Sequence, residues 1–147
     1  MLLTVAAAAR AQGPPGREAG VGVAAVWARR PFYGLELGVA RRPAGQARFS
    51  FTAAGGVFDR RPAGRLGVEA QFLVVPAARA GVSVYGGLGV AIAVARDTRG
   101  AGYLTATLGV EGPEGRPGGG WYLESGVAGG LRVAFGWRWR RLPSWWS

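Results

Sequence analysis

Along most of the chain, bulky apolar residues alternate with small or polar ones at a period of two, the spacing that a strand turns into two faces. The bulky set runs Val21, Val23, Ala25, Trp27; Tyr33, Leu35, Leu37, Val39; Phe49, Phe51, Ala53, Val57; Leu66, Val68, Ala70, Phe72, Val74; Val82, Val84, Leu88, Val90, Ile92, Val94; Leu104, Ala106, Leu108, Val110; Trp121, Leu123, Val127; and Leu131, Val133, Phe135, Trp137, Trp139. None of these is charged. Between the runs stand turn signals: Arg29-Arg30-Pro31, Arg42-Pro43-Ala44-Gly45, Arg61-Pro62-Ala63-Gly64, Pro76-Ala77-Ala78, Asp97-Thr98-Arg99-Gly100, Gly112-Pro113-Glu114-Gly115 and Gly129-Gly130. Gly supplies positive φ and Pro interrupts a ladder, so the signals separate eight strands. Their spacing suits strands of ~9–11 residues tilted across a bilayer.

The opposite face decides which way the sheet is turned. It carries Gly20, Gly22, Ala24; Gly34, Glu36, Gly38; Arg48, Ser50, Thr52; Gly67, Glu69, Gln71; Ser83, Tyr85, Gly87; Tyr103, Thr105, Thr107; Tyr122, Glu124, Gly126; and Arg132, Ala134, Gly136, Arg138. A water-facing side of a sheet would favour Lys, Glu and Thr and avoid Gly. Small residues with sparse charges instead suit the narrow interior of an eight-stranded barrel, which has room only for side chains. The bulky face then meets lipid, where a closed barrel leaves no backbone group unpaired. The predicted fold is all-β: an eight-stranded antiparallel up-and-down transmembrane β-barrel over residues 18–141. Trp27, Tyr33, Trp121, Trp137 and Trp139 fall near strand ends, the place of interfacial aromatic girdles.

Residues 1–11 form an apolar run ending Ala9-Arg10-Ala11, a small-x-small cleavage pattern that reads as a signal-peptide remnant whose start lies upstream. Residues 12–17 follow as a leader and 142–147 as a C-terminal tail. No stretch reaches the ~18 uncharged apolar residues of a spanning helix; the nearest, Ala80 to Ala95, is broken by four glycines at 81, 86, 87 and 89.

Composition narrows the chemistry. The 147 residues include no Cys and no His, which removes disulfides, thiol nucleophiles, imidazole bases and the usual zinc sites. No cofactor or metal is expected, and no catalytic residue. The 18 basic residues, all Arg, outweigh 8 acidic ones for a net charge of +10. The Arg residues lie in turns and at strand ends instead of interleaving with aromatics along one face, so nucleic acid is not the expected partner.

With these features the chain resembles the small eight-stranded outer-membrane β-barrels of Gram-negative bacteria, the OmpX type and the membrane domain of OmpA. The likeness rests on strand number, the two-residue alternation, the export signal and Gly130-Leu131-Arg132-Val133-Ala134-Phe135, whose Gly, hydrophobe and aromatic match the spacing of the C-terminal strand signal read by the barrel-assembly machinery. The chain departs from that pattern in running on through Trp137 and Trp139 into a tail, and in its short connections, which put loop-borne binding in doubt. The resemblance implies export to the cell outer membrane, both termini in the periplasm, recognition by the assembly machinery, and a monomer with a structural or envelope-interaction role. It also places the first, third, fifth and seventh connections outside, where Arg29, Arg30, Arg60, Arg61, Arg96 and Arg99 would meet lipopolysaccharide phosphates through bidentate contacts. Arg41, Arg42, Arg79, Arg116, Arg140 and Arg141 fall to the periplasmic rim.

Inside, Glu36, Glu69 and Glu124 face Arg48, Arg132 and Arg138, with Arg65 and Glu111 nearer the rims. In the last hairpin Glu124 stands opposite Ala134 and diagonal to Arg132, within reach of a long side chain. A fixed network that neutralises the lumen is the expected role, since buried charges must be paired; switching of partners along a small conducting pore is the functional alternative. The three carboxylates project into a filled interior, which gives them no cleft for glycosidase chemistry. A soluble, lipocalin-like carrier, with the bulky face turned inward around an apolar ligand, is the other reading of the same alternation.

Overall fold

The computed structural model describes residues 16–43, 45–74, 81–115 and 118–141; the expected signal remnant, most of the leader, the tail, Arg79 and Arg116 lie outside them. The strands are β1 (Gly16–Trp27), β2 (Phe32–Arg42), β3 (Ala47–Phe58), β4 (Arg61–Leu73), β5 (Ser83–Ala95), β6 (Ala101–Glu111), β7 (Gly119–Val127) and β8 (Leu131–Arg141). Each pairs antiparallel with its neighbours in sequence, and β1 pairs with β8, from Arg17 opposite Arg141 to Trp27 opposite Leu131, to close the barrel. The first strand thus starts two residues ahead of the expected boundary.

The alternation is realised with the bulky face outward. Leu37, Leu88 and Leu104 are 62%, 70% and 82% exposed, while Ala24, Glu36, Tyr85 and Ala134, on the other parity, are buried. That is the reverse of a lipocalin-like carrier. The interior holds more large side chains than the expected inward set: Val26, Phe32 and Leu73 join Tyr85 and Tyr122 there, and all five are buried. Close backbone approach makes room for them. A Cβ on Gly136 would stand 2.6 Å from the Gly22 Cα and 2.9 Å from the Tyr122 ring, so β1 and β8 pack at this level because neither position carries a side chain.

Connections 28–31, 59–60, 96–100 and 128–130 lie at one end of the barrel, here the hairpin end; at the other, here the terminal end, lie the start of β1, the end of β8, and the strand ends at Arg42, Ala47, Leu73, Ser83, Glu111 and Gly119. The β3–β4 turn differs from the expected Arg61-to-Gly64 turn. Asp59 and Arg60 take φ of 49° and 64°, the two left-handed residues of a type I′ hairpin, whose twist matches that of the flanking strands. Pro62 consequently sits inside β4, near its start, where a missing N–H is tolerated.

Candidate functional site

The polar interior is the candidate site, and strand parity builds it. Continuing inward positions towards the terminal end brings Glu18 of β1, Arg42 of β2, Arg48 of β3, Glu111 of β6 and both Arg138 and Arg140 of β8 to one level. Arg42 and Arg140 therefore belong to the lumen and not to the rim, because each keeps the inward parity of its strand and both are buried. Glu111 accepts from Arg42 Nη2 at 2.7 Å through Oε1, and through Oε2 meets Arg48 Nη1 at 2.7 Å, Arg138 Nη1 at 3.1 Å and Arg140 Nη2 at 3.5 Å. Glu18 pairs with Arg42 Nε, with Arg48 Nη1 at 3.3 Å and with Arg138 Nε at 3.7 Å. Arg140 Nη1 also donates to the Gly112 carbonyl at 3.0 Å.

A second group lies deeper in the lumen. Arg132 donates through Nη2 to Glu36 at 2.6 Å and through Nη1 to Glu124 at 2.8 Å. Glu124 stands opposite Ala134, and Arg132 opposite Gly126, so the hairpin diagonal is the route by which they meet. Arg138 Nη2 at 3.2 Å and the Tyr85 hydroxyl at 2.7 Å join Glu124 to the first group. Glu69 has no guanidinium partner among the described residues; it accepts from Thr107 Oγ1 and Gln71 Nε2, both at 2.9 Å, and Gln71 in turn accepts from Arg48 Nε at 2.6 Å. Aromatic faces complete the packing: the Arg48 guanidinium lies 4.1 Å from the Tyr85 ring centre and that of Arg138 4.4 Å from Tyr122, within cation–π range.

The lumen thus contains Glu18, Glu36, Glu69, Glu111 and Glu124 with Arg42, Arg48, Arg132, Arg138 and Arg140, and Arg65 stands nearer the hairpin end. Alongside both groups remains a void of about 40 Å³ lined from Glu18 and Arg138 at one end to Arg65 and Ala128 at the other, space for a few waters at ~10–15 Å³ each.

The remaining sequence-derived positions fall at the ends. Arg29, Arg30, Arg60, Arg61, Arg96 and Arg99 are all exposed at the hairpin end; Arg30 faces Asp59 at 3.8 Å. Trp27 and Tyr33 pack edge to face there, 6.5 Å between ring centres. Trp121, Trp137 and Trp139 occupy the terminal end, where Trp121 covers Gly112 and Trp137 covers Gly119. Aromatic side chains thus stand at both ends of the barrel.

A closed eight-stranded antiparallel barrel with an apolar exterior and a charged, side-chain-filled interior is the architecture of the small outer-membrane barrels. Among solved structures the chain is similar to outer membrane protein OprG of Pseudomonas aeruginosa, with a TM-score of 0.66 at 11% identity over 87% of this chain and 96% of that one. It is similar also to the N-terminal β-barrel domain of Pseudomonas aeruginosa OprF (0.63, 12%, 86% and 97%) and to the Neisserial surface protein A, NspA (0.61, 11%, 84% and 95%). At such identities the likeness is one of fold. By sequence, no family model and no curated protein matches the chain.

Proposed function

We propose that the chain is exported and spans the outer membrane as a plugged monomeric barrel, delivered by the barrel-assembly machinery, with a structural and envelope-contact role and no catalysis. The observation that carries this reading is the ion-paired plug at the terminal end, in which Glu18 and Glu111, from opposite sides of the barrel, are bridged across the lumen by four guanidinium groups. A transport path would require these groups to part, leaving buried charges unpaired. The outward apolar band and the aromatic side chains at both ends support the membrane setting. The exposed Arg cluster of the hairpin end supports contact with the phosphates of lipopolysaccharide, for which the guanidinium fork is suited.

The test is in two parts. In planar bilayers the wild-type protein gives no steady conductance step, whereas Arg48→Ala with Glu111→Ala gives one; a steady wild-type step makes the protein a pore. On lipopolysaccharide-containing vesicles, Arg29→Gln with Arg30→Gln, Arg96→Gln and Arg99→Gln weakens binding, and dephosphorylated lipopolysaccharide removes the difference; equal binding by the variant discards the rim assignment.

A further inference from the structure

The hairpin end is not flush. Its mouth opens into a bowl of about 330 Å³, at the lower end of the ~300–1,000 Å³ typical of small-molecule sites. Phe32, Phe58, Ala63, Ala93, Ala101 and Tyr103 make its walls, and all the connections around it, being short, leave it open above. Most of the exposed lining is apolar.

One charged group breaks that wall. Arg65 of β4 projects into the bowl, and among the described residues it has no carboxylate within ion-pairing distance. Its Nη2 donates to the Ala128 carbonyl at 2.9 Å, and its guanidinium lies 5.7 Å and 6.0 Å from the ring centres of Phe32 and Tyr103. The other interior carboxylates are engaged below: Glu18, Glu36, Glu111 and Glu124 are ion-paired with other guanidiniums, and Glu69 accepts from Thr107 and Gln71. Arg65 is therefore, among the described residues, an interior cation without an ion-pair partner, and it is half-buried against apolar and aromatic surface. Arg29, Arg30 and Arg99 stand around the opening and reinforce the sign.

We propose that the bowl is a binding site for a small amphipathic carboxylate, of the size of octanoate, whose carboxylate meets Arg65 while its apolar body lies against the Phe32, Ala93 and Tyr103 wall. A guanidinium with free donors beside an apolar surface is complementary to that chemistry. The site differs from the lipopolysaccharide-contacting rim, because its defining cation points into the barrel.

The experiment titrates octanoate into the isotope-labelled barrel in phosphatidylcholine nanodiscs, with amide shifts of Ala63, Ala93 and Tyr103 as the readout and octanol and acetate as comparison probes. Octanoate moves these amides saturably and more tightly than either probe. Arg65→Gln weakens it about tenfold, the scale of one lost charge-assisted contact, and Ala93→Leu, which fills the bowl, removes the saturable shift. Octanol binding as tightly as octanoate, or unchanged binding in Arg65→Gln, overturns the anion assignment. Acetate binding as tightly overturns the role of the apolar wall. Absence of a saturable shift in the wild type overturns the site, whatever the bilayer conductance; if Arg65→Gln fails to fold, the Ala93→Leu and octanol arms still decide.

Discussion

Replacing Glu111 by Gln is the sharpest probe of the plug. Glu111 is fully buried and stands within 3.5 Å of four guanidinium groups, those of Arg42, Arg48, Arg138 and Arg140. Gln keeps the volume, so no cavity term intervenes. It removes one negative charge and turns an acceptor into an NH₂ donor that must face other donors. Removing one partner of a buried ion pair costs about 3–5 kcal/mol, and because Glu111 serves several cations the loss belongs in the upper part of that range. Urea unfolding of the barrel in phospholipid vesicles, followed by tryptophan fluorescence, measures this as a lower midpoint at unchanged slope. Adding Arg48→Gln restores part of the charge balance, so the double variant loses less than the sum of the two single ones. A loss below about 1 kcal/mol, in the range of exposed pairs, would mean that water screens these groups, and the argument for a closed lumen would fail with it.

Leu37, exposed near the middle of β2 on the outer face, tests the membrane setting: Leu37→Arg costs about 2–4 kcal/mol in vesicles if that face meets lipid, and an unchanged midpoint contradicts it. Gly136→Val places a side chain against Gly22 and Tyr122, so the barrel fails to close and the heat-dependent gel mobility shift of a folded barrel is lost; a normal shift shows that β1 and β8 have slack. Tyr85→Phe deletes one hydrogen bond to Glu124 while keeping the ring beside Arg48, a loss of about 1.5–3 kcal/mol for a bond to a charged acceptor, measured by the same urea titration.

The architecture was legible because two-residue alternation is a local property that survives barrel closure unchanged. The Glu124–Arg132 contact was legible for the same reason, since a tight hairpin sets its own register. The terminal-end plug was not. Its members come from β1, β2, β3, β6 and β8, and only the stagger of a closed barrel brings them to one level. A signal was nevertheless present: Arg42 continues the series Glu36, Gly38, Ala40, and Arg140 the series Arg132, Ala134, Gly136, Arg138. Pro43 after Arg42 and Arg141 after Arg140 drew both towards the ends of their strands. The Asp59–Arg60 turn was hidden because neither residue advertises positive φ as Gly does, while Pro62 nearby is a stronger but misleading turn marker. Phe32 and Phe58, which shape the mouth, sit at strand ends, where an aromatic reads equally well as a belt residue.

The plug also bears on how the barrel is put together. Glu18 arrives with the first strand and Arg138 and Arg140 with the last, so the terminal-end cluster cannot complete its ion pairs until both ends of the chain are in place. An unfinished sheet would carry ions without counter-ions into a low-dielectric slab, a state that hydrocarbon rejects. Closure of β8 on β1 removes the broken seam and the electrostatic debt in one event. The ion-pair cluster thus couples the pairing of the lumen charges to the joining of the chain's two ends.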